Sequence, residues 1–196
     1  MIPASEALQR LRDGNHRFAN GEENNLQSIN QARRAELVDG QSPFAVIVAC
    51  SDSRVPVELL FDQGLGDLFV IRVAGNIVAP SQIGSVEFAA EQLGTKLVVV
   101  LGHSNCGAVE ATLKELSKQQ ETRSPNLQSI VNRIRPAVEL LDHPSLHTAV
   151  VANVRNSVER LRGRSKLLKT LIESGELTVV GAEYSIESGV VDFFGD

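Results

Sequence analysis

The sequence predicts a single α/β domain, with a mostly parallel central sheet flanked by helices, an N-terminal helical arm and an antiparallel final strand. Three observations carry that expectation. The chain has 196 residues, near the ~150 of one domain and short for two. Continuous apolar runs such as Leu97–Leu101 alternate with longer stretches of helical character, the pattern of parallel strands covered on both faces. The turn signals Gly64-Leu65-Gly66-Asp67 and Gly94 stand in front of two of those runs,.

The elements follow in order. Ala7, Leu8, Leu11 and Phe18 recur at roughly helical spacing with Arg and Asp between them, predicting a helix over 4–19,. Residues 21–30 are polar and read as a loop, and 31–38 as a short helix, so that 1–40 form the arm. The core, 41–196, opens with Phe44-Ala45-Val46-Ile47-Val48-Ala49, a strand that stops at Cys50,. A helix over 56–62 precedes the second strand, Leu68–Val73, and a helix over 81–93 precedes the third, Leu97–Leu101. Four helical patterns follow, over 105–120, 126–141, 145–162 and 164–174. Strands over 177–184 and 189–194, joined by Ile186-Glu187-Ser188-Gly189, end the fold.

Composition narrows the function classes. Hydrophobic residues make up 42% and charged residues 22%, which excludes an intrinsically disordered chain. Nineteen basic against 24 acidic side chains leave a net charge of −5, so no broad basic surface is expected for nucleic acid or anionic membrane. Aromatics are 4% with no Trp, which removes the usual stacking platforms for single strands. No apolar run approaches the roughly 20 residues that span a bilayer. The opening Met1-Ile2-Pro3-Ala4-Ser5-Glu6 reaches a charge before any apolar stretch, so the expected location is the cytoplasm.

Only two cysteines are present, Cys50 and Cys106. Cytosolic thiols stay reduced, which leaves two inert buried thiols or a metal or catalytic pair. Their neighbours decide. Cys50-Ser51-Asp52-Ser53-Arg54 and Gly102-His103-Ser104-Asn105-Cys106-Gly107 each begin where an apolar strand stops, and ligands bind beyond the carboxyl ends of such strands. In an extended exit, Cys50 and Asp52 face one side. If Ser104 caps the following helix, His103 and Cys106 meet on its first turn, where a helix N-terminus also favours a thiolate.

Two sulfurs, an imidazole and a carboxylate suit zinc. Read singly, the cysteines are small buried residues and His103 a hydrogen-bonded structural histidine; together they favour a metal site. A structural zinc usually has four Cys or His ligands, and the missing third cysteine turns the reading towards catalysis. Other motifs are weaker. Gly64-x-Gly66 lacks the third glycine of a dinucleotide fingerprint and precedes its strand. Cys50 and Arg54 are too close for a tyrosine-phosphatase loop. His143 and His147 are separated by Pro144 without an accompanying Glu, and they and His16 are expected on the surface.

Cys-x-Asp-x-Arg, followed about fifty residues later by His-x-x-Cys, resembles the β-class carbonic anhydrases. The likeness extends over Gly14-Asn15-His16-Arg17-Phe18, Arg72-Val73-Ala74-Gly75-Asn76 and Gly84-Ser85-Val86-Glu87-Phe88. It implies zinc-dependent, reversible hydration of carbon dioxide to bicarbonate by zinc-bound hydroxide, with one zinc per chain on Cys50, His103 and Cys106. Asp52 and Arg54 would form the family's dyad, Asp52 either accepting a hydrogen bond from zinc-bound water or taking the fourth ligand position. The plainer alternative for the pair is a salt bridge that orders the loop. Gln41 matches a substrate-binding glutamine, Gly107 a glycine whose amide faces the site, and Phe69 and Phe88 pocket aromatics. Phe88 replaces a tyrosine of plant members, and Ala74 stands where a larger apolar residue is common.

The resemblance also implies a homo-oligomer, dimer or tetramer, whose first helix crosses onto the neighbouring subunit. Hydrolysis of a sulfur analogue such as carbon disulfide, or a non-catalytic zinc assembly protein, are the alternatives; Asp52, Arg54 and Gln41 speak against the latter. Some bacterial members hold a regulatory bicarbonate on a Trp–Arg–Tyr cluster. Here Ile47 stands at the Trp position and Ala49 where the family has Gly, leaving Arg72 and Tyr184 without the indole. With Gln41, this resembles the plant-like subclass, for which Asp52 paired to Arg54 is expected.

Overall fold

The computed structural model describes residues 1–24, 30–117 and 124–194. Half of the expected 21–30 loop and the end of the expected 105–120 helix lie outside the described residues. Chain order is α1 Ala4–Asn20, α2 Gln31–Glu36, β1 Ala45–Ala49, α3 Val57–Leu60, β2 Leu68–Arg72, α4 Pro80–Gln92, β3 Leu97–His103, α5 Gly107–Leu116, α6 Pro125–Val138, α7 Leu146–Arg164, α8 Lys166–Glu173, β4 Thr178–Tyr184 and β5 Val191–Phe194. A 3-10 turn, Ala74–Asn76, follows β2.

The strands make one five-stranded sheet in the order β2-β1-β3-β4-β5. All neighbours are parallel except β4 and β5, which run antiparallel. The continuous apolar character of β1 follows from its central position. Ala45, Ile47 and Ala49 meet Leu11 of α1 and Leu60 beside Phe61 on one face. Val46 and Val48 meet Val86 of α4, Val154 of α7 and Leu168 of α8 on the other. Strand order reverses at β1, with β2 on one side and β3 on the other. The crevice beyond the carboxyl ends of β1 and β3 is therefore the topological switch point, where open α/β sheets bind ligands.

The first helix packs against α3 and β5 of its own chain. Gly14 lets α1 approach α3 so closely that a Cβ there would lie 1.8 Å from the Phe61 carbonyl oxygen. Asn15 is buried beside it. Its amide donates to the Leu60 and Gly189 carbonyls at 3.1 and 2.9 Å, and its Oδ1 accepts from the Val191 amide at 2.8 Å. One side chain thus ties α1 to α3 and to the start of β5.

On the opposite face, α7 lies against β3 and β4 because both strands present glycine to Val154. A Cβ at Gly102 would lie 2.5 Å from Val154 Cγ2, and one at Gly181 would lie 3.0 Å from Val154 Cγ1. Gly102→Ala is expected to destabilise the protein by about 1–3 kcal/mol through overpacking, read as a lowered chemical-denaturation midpoint at unchanged slope.

Candidate metal centre

The parallel register pairs Ala49 with Leu101. Cys50 and His103 therefore leave adjacent strands within about one residue of each other, some 4.8 Å apart across the sheet. Pairing of β3 with β4 continues as far as His103 and Tyr184, which holds His103 in extended backbone. The chain then turns sharply, with Asn105 in the left-handed region at φ 57°, and α5 begins at Gly107 with Cys106 at its N-cap. Ser104 does not cap that helix. Its hydroxyl accepts from the Ile186 amide at 3.0 Å and its amide donates to the Tyr184 carbonyl at 2.9 Å, because the strand runs on past the expected cap position. The turn, and not a shared helical face, brings Cys106 back to His103.

Cys50, His103 and Cys106 are all buried, and their donor atoms lie within 4.8 Å of one another. One ion bound at about 2.0–2.3 Å can draw such a set together. The donors fit a metal on independent grounds. His103 Nδ1 stands 2.8 Å from the Ser104 carbonyl, which can only accept, so Nδ1 carries the proton. Nε2 then holds a lone pair, fully buried and without a hydrogen-bond partner. A backbone carbonyl fixing one imidazole nitrogen while the other faces a cation is the usual support of a metal-ligating histidine.

The two sulfurs share a proton. Cys50 is pulled well below its ordinary value, chiefly by the hydrogen bond from Cys106, with help from the Gly75 amide and the backbone at Asp52. Cys106 is pushed above its ordinary value by that same bond, by burial and by the charge on Cys50. The environment therefore favours the thiolate form of Cys50, and a divalent cation, which needs deprotonated sulfur ligands, would displace the remaining proton. Gly75 contributes directly, its amide donating to Cys50 Sγ at 3.3 Å. It does so at φ 68°, where a Cβ would lie 2.9 Å from Ile134 Cδ1, so only glycine suits the position.

Asp52 sits beside the ligands, its Oδ2 3.9 Å from His103 Nε2. Arg54 grips it with a fork, Nε to Oδ1 at 2.9 Å and Nη2 to Oδ2 at 2.7 Å. The Arg54 amide adds a third bond to Oδ1 at 3.0 Å. Arg54 first, through these bonds and then its charge, holds the Asp52 carboxyl well below the usual carboxylate range. Arg54 also donates to the Asn105 carbonyl at 3.2 Å, joining the two motif loops.

Arg72 has a part that sequence reasoning missed. Its Nε donates to the Cys50 carbonyl at 3.0 Å and its Nη2 to the Asp52 carbonyl at 2.5 Å. It holds the loop that carries ligand and carboxylate. The sequence signals were its place at the end of the neighbouring strand and in the Arg72–Asn76 motif, neither of which names those acceptors.

The remaining predicted site residues divide. Ala74 adjoins Gly75 in the 3-10 turn, and Gly107 adjoins Cys106 with open space where a Cβ would stand. Phe69 and Phe88 stack on each other, ring centroids 6.2 Å apart, on the α4 face. Phe69 lies three residues, about 10 Å, back along β2 from Arg72. Gln41 is exposed ahead of β1. The Thr95 hydroxyl donates to the Pro43 carbonyl at 2.9 Å and the Phe44 amide to the Asp67 carbonyl at 2.9 Å, which anchors this segment at the amino edge of the sheet. Within one chain, Gln41, Phe69 and Phe88 are not brought to the cysteines. His16, His143 and His147 are on the surface as expected, His147 paired with Glu183 at 3.1 Å.

Fold and site together define an α/β protein with a buried Cys2His cluster that could hold a metal at its switch point and an arginine-held carboxylate beside it. The family model described as carbonic anhydrase matches residues 45–191. A carbonic anhydrase of Mycolicibacterium smegmatis is 40% identical over 190 residues, covering 95% of this chain and 91% of the relative. Carbonic anhydrase 2 of Mycobacterium tuberculosis is 38% identical, covering 93% and 89%. The solved β-carbonic anhydrase CcaA superposes with a TM-score of 0.72 at 29% identity, covering 96% of this chain and 95% of its own. The chain belongs to the β-carbonic anhydrase family.

Proposed function

We propose that this protein catalyses the reversible hydration of carbon dioxide to bicarbonate and a proton, with one zinc ion per chain held by Cys50, His103 and Cys106. The observation that carries the reading is the buried, partnerless Nε2 of His103, flanked by two sulfurs and 3.9 Å from an ionised Asp52. Zinc, when bound, supplies a water whose pKa is lowered to about 7 and polarises what it binds.

The chain's own groups do the rest. Asp52 Oδ2 accepts a hydrogen bond from water entering the site and turns a lone pair of that water towards the substrate carbon. Arg54 occupies both carboxylate oxygens and keeps Asp52 charged and in place. Without that fork, Asp52 is free to become a fourth metal ligand. Ala74 and Gly107 border the space left for substrate. Because Gln41, Phe69 and Phe88 stand away from the cysteines of their own chain, they would complete the pocket from a second copy in a homodimer or homotetramer.

The test is stopped-flow carbon dioxide hydration with metal analysis on the same sample, and a parallel assay with carbon disulfide. Hydration that scales with zinc content up to one ion per chain supports the reading; a zinc-replete protein inert towards carbon dioxide overturns it. Asp52 is ionised throughout the neutral range, so it does not titrate there. Activity is expected to decline smoothly below about pH 7 with single-proton steepness, without cooperative collapse, and bicarbonate is expected to give no inhibition through a second site. A slope steeper than one proton in the pH–rate profile contradicts this.

A further inference from the structure

A cavity of about 550 Å³ lies between the start of α4, α6 and the end of α7, outside the metal centre. Its charge is unusual for a protein of net charge −5. Arg133, Arg160 and Arg164 all line it, and no acidic residue does. Arg133 spends its guanidinium on neutral partners, the Ser129 carbonyl and hydroxyl at 2.7 and 2.6 Å. Arg160 and Arg164 have no hydrogen-bond or ion-pair partner among the described residues. The carboxylates nearby are engaged elsewhere, Glu159 with Arg162 and Glu87 with Ser165.

The other wall adds to the same field. Ala79 is the N-cap of the 13-residue α4 and Pro80 its first residue, so the positive end of that helix dipole lines the cavity. Val78 and Ile83 give it an apolar side. Burial, then the charges of Arg164 and Arg133, lowers the Arg160 pKa below its ordinary value, the mark of like charges held together without a counterion.

We propose that this cavity binds a phosphate-bearing small molecule as a dianion, its phosphoryl oxygens on Arg160 and Arg164 at the head of α4. A dianion is favoured over bicarbonate or chloride because three arginines line the cavity with no acidic residue, two of them without a partner among the described residues, and guanidinium forks match phosphoryl geometry. The volume suits a ligand larger than a lone anion. Val78 and Ala79 follow closely on the turn whose Gly75 amide donates to Cys50.

The test is isothermal titration of the zinc-loaded protein with inorganic phosphate and with inorganic pyrophosphate, with bicarbonate and chloride as competing monoanions. Saturable binding of pyrophosphate or phosphate is expected, at least ten-fold weaker in R160Q/R164Q and weakened steeply by added salt. R164E changes an exposed helix-end residue alone and guards against misfolding of the double variant; it is expected to weaken binding ten-fold or more while carbon dioxide hydration stays at the wild-type rate. Absence of saturable phosphate and pyrophosphate binding at ~10 mM overturns the proposal. So does equal binding by R164E and the wild type, or equal competition by chloride.

Discussion

His103→Ala is expected to lose zinc and to lose carbon dioxide hydration by at least ~10³-fold, because the ion that generates the nucleophile is no longer retained. His103 is fully buried, and Nε2 is the one donor in the cluster that no protein group satisfies. The two sulfurs left behind lack the imidazole that completes a metal set. Removing the ring also leaves a cavity beneath the β3–α5 turn, for which a loss of about 2–5 kcal/mol is expected. Metal analysis with chemical denaturation in the presence and absence of zinc separates the two effects. Wild type gains stability with zinc; His103→Ala gains none. Retention of one zinc per chain by the variant contradicts the ligand assignment, and Cys50→Ser is expected to behave in the same way.

Arg54→Ala is expected to keep zinc and the fold yet lose activity by about 10²-fold. The side chain is half-exposed, with 48% of its surface accessible, so its removal from the stability balance is small, within about 1 kcal/mol. What it removes is positional. Oδ2 of Asp52 loses its partner and Oδ1 keeps only the backbone amide of residue 54, so the carboxylate, 3.9 Å from His103 Nε2, would be free to turn onto a bound zinc in place of water. Loss of preorganised electrostatic support of this kind costs 10²–10³ in rate. Full activity in a zinc-replete Arg54→Ala protein would sink the dyad mechanism. Arg72→Ala offers a graded comparison, since it frees the backbone of the same loop without touching the carboxylate.

The two site loops were legible in the sequence because their signals are local. An apolar run that stops at Cys50, and another that stops at His103, report strands buried on both faces and place chemical residues at their carboxyl ends. The types and spacing of Cys50, Asp52, Arg54, His103 and Cys106 also sufficed to indicate a metal and a dyad. Even there one local inference failed. Ser104 looked like a helix cap, but pairing of β3 with β4 carries the strand through His103, and a left-handed Asn105 makes the turn that returns Cys106.

The rest depends on which segments are neighbours across the sheet, a property that periodicity does not encode. Arg72 finds the Cys50 and Asp52 carbonyls because β2 lies beside β1 in register, and nothing in its own sequence context specifies those acceptors. Asn15 docks α1 through partners 45 and 176 residues away. Gln41 precedes Cys50 by only nine residues, yet an extended β1 carries the two to opposite edges of the sheet. Arg133, Arg160 and Arg164 are ordinary helical surface charges in the sequence and become a cluster only where α6 and α7 meet the head of α4. The sequence by itself determined the strands, the residues of the candidate metal cluster and the family, since burial and residue chemistry act locally along the chain. The tertiary structure alone decided which hydrogen bonds hold the site and where unpaired charge collects, because both are set by distances between segments remote in sequence.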